Sequence, residues 1–218
     1  RPGTVPSRKT KSADRGPVRR VGEMTETVPE DGLPAGERLL CKIERPPKAK
    51  GIYTSSAFSP DGYLFAAGDN KGCVFIWSLK GDAGWTLAQT ITGMHEGDVV
   101  TCRFNERRGE TWTLMTAAHD MTVKFWSPPY NPDSQPPRMS QALTEKWTCV
   151  STLKTGHKGH LGCAALARSP AYELLVTGGG TDKEAAVHCR ALGDGEWAKV
   201  AALTGHEGVI CGAAAAFK

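Results

Sequence analysis

A tryptophan, five further residues, a leucine or isoleucine, and then a glycine and a histidine recur three times along the chain. The copies run Trp85 to Ile91 with Gly93 and His95, Trp147 to Leu153 with Gly156 and His157, and Trp197 to Leu203 with Gly205 and His206. Three copies of one module are not chance, so internal repetition is the first thing any fold must satisfy. After each histidine comes an alternating or apolar stretch (98–105, 161–169, 209–217), then a turn, then a second short apolar run. Alternation of this length predicts strands.

The punctuation agrees. Ser59, Pro60, Asp61 and Gly62 mark a turn in the first copy, residues 105–109 in the second, and Ser169 with Pro170 in the third. A third strand is expected at 72–77, 122–126 and 185–189, so each copy holds four short strands in a fixed order. Trp77 and Trp126 lie 49 residues apart, as do His157 and His206. A propeller blade of this type takes about 40–45 residues, and loops carry the excess. The largest insertion, 127–146, contains Pro128, Pro129, Pro132, Pro136 and Pro137 and is excluded as strand.

These elements resemble WD repeats. Phe58 to Gly62, Leu64 to Gly68 and Val74 to Trp77 resemble one copy, and residues 115–126 resemble one more fully. The resemblance covers about residues 37–218 and implies an all-β chain of WD-repeat β-propeller blades, each a four-stranded antiparallel sheet. Blades are expected at about 51–92, 93–154 and 155–204, with a partial one at 205–218. Three blades and the start of a fourth make an incomplete ring, since a closed one needs at least about four.

The family also implies a hydrogen-bonded tetrad inside each blade, and one copy carries it in full: His95, Thr116, Asp120 and Trp126. A buried indole N–H and imidazole need partners, and a polar chain ending in a carboxylate supplies them. Trp77, His157 and His206 mark the other blades. The first copy departs from the pattern with Ala67 and Lys71 in place of the Thr and Asp. The third has Cys189 where tryptophan is usual, and Ser78 and Ser127 replace the Asp after the tryptophan. The Trp-Asp-x-Arg contact of some ubiquitin-ligase receptors is absent from these copies.

Composition narrows the function class. Hydrophobic residues at 39% and charged residues at 23% are those of an ordinary globular protein, and no apolar run approaches the roughly 20 residues of a membrane span. Seven cysteines without a CxxC pair argue against a disulfide framework or zinc ribbon and for reduced thiols in cytoplasm or nucleus. The chain opens on Arg1 with no secretory signal, which implies a fragment or processed form. Residues 1–36 lack any periodic apolar pattern and are expected to form a disordered charged arm.

The sharper chemical readings weaken on inspection. His157, His160 and Cys163 could be metal ligands, but residues three apart on a strand face opposite ways. His188 and Cys189 are likewise strand neighbours, so the imbalance of faces keeps imidazole from thiol. No phosphate loop, carboxylate pair or nucleophile elbow is present, so neither enzyme nor cofactor nor metal is expected.

Two surface features remain. Arg107, Arg108, Tyr130 and Arg138 are candidate partner-binding residues, since the blade geometry that the resemblance implies puts the long insertion on the same face as the turn holding the two arginines. Arg8, Lys9, Lys11, Arg19 and Arg20 form a basic cluster in the arm. The leading expectation is a scaffold that binds proteins, with no membrane contact and no small-molecule substrate. The alternative is an RNA- or chromatin-associated factor whose residues 1–22 contact nucleic acid.

Overall fold

The computed structural model describes residues 43–47, 49–79, 84–107, 110–128, 146–192 and 195–216. The arm at 1–36 and most of the proline-rich insertion lie outside them. Twelve strands follow in order among the described residues: β1 (Tyr53–Phe58), β2 (Leu64–Asp69), β3 (Val74–Leu79), β4 (Trp85–Ile91), β5 (Val99–Arg107), β6 (Glu110–Ala118), β7 (Thr122–Ser127), β8 (Thr148–Lys154), β9 (Leu161–Arg168), β10 (Tyr172–Gly179), β11 (Ala185–Ala191) and β12 (Ala198–Leu203).

They form three four-stranded antiparallel sheets, β1–β4, β5–β8 and β9–β12, each meandering between sequence neighbours. We call these blades 1, 2 and 3. Among the described residues no helix is long and apolar enough to cross a membrane.

Each strand has two faces because successive side chains alternate. In blade 2, Leu114, Ala118 and Trp126 turn one way and pack with Leu64, Ala66, Val74 and Ile76 of blade 1. Met115, Ala117, Val123 and Phe125 turn the other way and pack with Leu161, Ala164, Leu166 and Leu175 of blade 3. A blade thus buries both faces only between neighbours, which makes stacking the source of stability.

Polar contacts set the alignment of the stack. The hydroxyls of Thr54 and Ser55 on β1 donate to the Val99 carbonyl of β5 at 2.8 and 2.6 Å, and the Ala164 amide donates to Thr101 Oγ1 at 3.1 Å. Gln89 of blade 1 accepts from the Trp147 amide at 2.7 Å. Gly68 is required at the same seam, since a Cβ there would lie 2.5 Å from Val99 Cγ1.

Three expectations need correction. The turn expected at 105–109 starts later, because β5 continues to Arg107 with a register shift between Asn105 and Arg107. The strand expected at 209–217 is not formed among residues 204–216. Ile210 instead packs on blade 3, where its amide donates to the Gly179 carbonyl at 3.3 Å, and no neighbouring strand offers it a ladder.

The third correction concerns the indole position of blade 3. Strand pairing slips at Ile76/Trp77, at Phe125/Trp126 and at Val187/His188, so His188 and not Cys189 stands where Trp77 and Trp126 stand. The step from the blade's entry histidine to this position is the same in both blades, His95 to Trp126 and His157 to His188, 31 residues each.

Candidate functional site: histidine latches under a loop face

The loop that enters blade 2 and the turn between β6 and β7 meet at one end of the sheet, because β5 starts and β6 finishes there. His95 sits in the first and Asp120 in the second, with Nδ1 and Oδ2 2.9 Å apart. His95 Nε2 lies 2.8 Å from Thr116 Oγ1, and the Trp126 indole donates to that same oxygen at 2.8 Å. Since the threonine oxygen accepts from the indole, its own proton goes to Nε2, and the imidazole donates from Nδ1 to the carboxylate. The amide of Glu96 also donates to Asp120 Oδ2, at 3.1 Å.

Burial depresses the His95 imidazole below its ordinary value by more than the Asp120 carboxylate raises it, so the ring is neutral. Burial pushes the Asp120 carboxyl up, but Thr122, His95 and the Glu96 amide outweigh it and leave it below the ordinary range. The result is a latch that ties two loops together without a buried cation.

Blade 3 repeats the device around the blade-marking His157, with Thr177 and Asp182 as partners that the sequence pattern did not single out. His157 lies 2.9 Å from Thr177 Oγ1 and 2.8 Å from Asp182 Oδ2, and the Lys158 amide donates to Asp182 at 3.0 Å. The histidine-to-aspartate separation is 25 residues in both blades, a signal that could have found Asp182. His188, in the tryptophan's place, donates instead to the Thr155 carbonyl at 3.3 Å. The residue after each latch aspartate, Met121 or Lys183, has positive φ, so both turns have one tight conformation.

Blade 1 has no such latch. Ala49 precedes β1 by the four residues that separate His95 from β5, and Ala67 takes the place of Thr116. Trp77 remains, packed with Phe75, Phe65, Ala67, Ala49 and Trp85. His206 is exposed.

The two ring nitrogens of His157 are both engaged, and Cys163 Sγ lies 3.5 Å from the Ile210 carbonyl. Among the described residues no three groups are placed to hold a metal ion. Burial pushes the Cys102 thiol up to about 12 and raises those of Cys73 and Cys163, the opposite of an activated nucleophile.

The β5–β6 and β7–β8 connections leave the opposite end of blade 2. Arg107 closes β5 there; Arg108, Tyr130 and Arg138 lie outside the described residues, as do Arg8, Lys9, Lys11, Arg19 and Arg20.

Three four-stranded blades, stacked face to face and two of them latched by His, Thr and Asp, have the architecture of WD-repeat β-propeller blades. Residues 45–78 match the family model described as WD domain, G-beta repeat. The fold is similar to that in the crystal structure of Saccharomyces cerevisiae Sqt1, with a TM-score of 0.52 and 16% identity over 74% of this chain. The chain spans 38% of that chain's length. No curated protein matches the chain by sequence.

Proposed function

We propose that this chain is a non-catalytic platform that holds protein partners on the latched end of its blades. WD-repeat propellers generally serve as protein-interaction scaffolds. The observation that carries the reading is the pair of latches, which fix the loops at 95–98 and 157–160 to the turns at 119–122 and 180–184. Loops that are already ordered lose little entropy on binding, and a rigid display of them is what a partner can read. The free thiols suit a reducing compartment, cytoplasm or nucleus.

The test is capture of partners by the full chain before and after nuclease treatment, at low and high salt. A protein partner retained after nuclease supports the platform. Retention of nucleic acid alone, lost as salt rises, would overturn it in favour of the basic arm.

A further inference from the structure

Where blades 2 and 3 carry a latch, blade 1 carries a pocket. Two alanines, Ala49 and Ala67, stand in place of the imidazole and the threonine, and Lys71 takes the position of the aspartate. A cavity of about 470 Å³ opens there, floored by Ala49, Cys73 and Phe75 and rimmed by Lys50 and Lys71. This volume is within the range of about 300–1,000 Å³ that ligand sites occupy.

The charge at the rim is one-sided. Asp69 also lines the pocket, but it is 1% exposed and its Oδ1 accepts from the Lys71 and Cys73 amides at 2.9 Å each. Its charge is therefore held by the turn. Lys50 and Lys71 are exposed, and no carboxylate among the described residues pairs with either. An apolar floor under two unpaired ammonium groups fits an apolar side chain flanked by carboxylates.

We propose that this pocket binds a short acidic peptide segment anchored by one large apolar side chain. The proposal rests on the protein-interaction reading and names the chemistry of one partner contact. The floor takes the anchor, whose removal from water supplies affinity, while Lys50 and Lys71 select flanking Asp or Glu and speed association. Of the three positions that hold the latch elsewhere, Ala49 and Lys71 line this pocket, and the strand-end residues Thr90 and Thr92 close its side.

The test uses the full chain and three labelled peptides in fluorescence anisotropy: one leucine among Asp and Glu residues, the same peptide with alanine for leucine, and one with leucine among Lys and Arg. The acidic leucine peptide should bind with a dissociation constant on the order of 10⁻⁵ M. Alanine for leucine should weaken it about tenfold or more, and the basic peptide should not bind. The Lys50→Glu, Lys71→Glu double variant changes exposed side chains only and should weaken the acidic peptide at least about tenfold. Bound peptide should also slow alkylation of the half-buried Cys73, read by mass spectrometry.

Equal binding of acidic and basic peptides, or binding unchanged in the double variant, would overturn the proposal. Nuclease-resistant capture of a protein that persists in the double variant would keep the platform reading and remove this pocket from it.

Discussion

His95 Nδ1 and Asp120 Oδ2 lie 2.9 Å apart across 25 residues of sequence, and this one contact joins the entrance of blade 2 to its most buried hairpin. Removing the imidazole leaves the proton of the fully buried Thr116 hydroxyl without its acceptor, the Trp126 indole still donating to that oxygen, and takes one partner from Asp120. His95→Ala should therefore destabilise the fold by about 1–3 kcal/mol. Chemical denaturation that shows no change, with Trp126 still shielded from quenchers, would contradict the latch.

Burial holds both His95 and His188 below the ordinary value of 6.5. The unfolded chain then binds these protons more readily than the folded one, so stability present above about pH 6.5 is lost as pH falls. Asp120 and Asp182, held below 3.8, add a second loss further down. Melting temperature should fall between about pH 7.5 and pH 5.5, and a His95→Gln, His188→Gln variant should show a flatter profile. An equal slope in the variant would place the titration elsewhere.

Glu173, 3% exposed, pairs with Arg190, whose guanidinium also lies over the rings of Phe125 and Trp197 at 5.1 and 4.6 Å. Arg190→Ala leaves that carboxylate buried with only Arg168, at 3.7 Å, for company, and should cost about 3 kcal/mol. Glu173→Leu with Arg190→Met should recover most of the loss, since neither charge then remains. A double variant as unstable as the single one would mean that packing over Phe125 and Trp197, not charge, is the dominant contribution.

Residues 204–216 have no strand ladder, whereas β7 pairs on both sides. Amides of 204–216 should exchange with solvent far faster than those of Thr122–Ser127. Comparable protection in the two segments would require the last described residues to pair in solution.

The legible parts of the fold are those with a chemical signature. Trp77, Trp126 and the Gly-His steps announce the blades, and His95, Thr116, Asp120 and Trp126 are each a polar or aromatic type at a fixed interval. Blade 3 hides its latch because Thr177 stands 20 residues after its histidine where Thr116 stands 21 after His95, and because a histidine, His188, replaces the tryptophan. In blade 1 the departures at Ala67 and Lys71 are legible in the sequence, but Ala49, in the histidine's place, carries no pattern. Only the three-dimensional equivalence of Ala49 and His95 exposes what is missing.

If partners dock on the latched end of the blades, lysines at that end should crosslink to them in the captured, nuclease-treated complex. Lys50, Lys71, Lys158 and Lys183 lie at that end, before first strands or in the turns that precede third strands, whereas Lys146 lies at the other, before β8. Crosslinks to the partner should concentrate on the first four. Crosslinks confined to Lys146, or to Lys9 and Lys11 of the arm, would rule out docking at the latched end and move the interface to the β8 entry or to the basic residues of the arm.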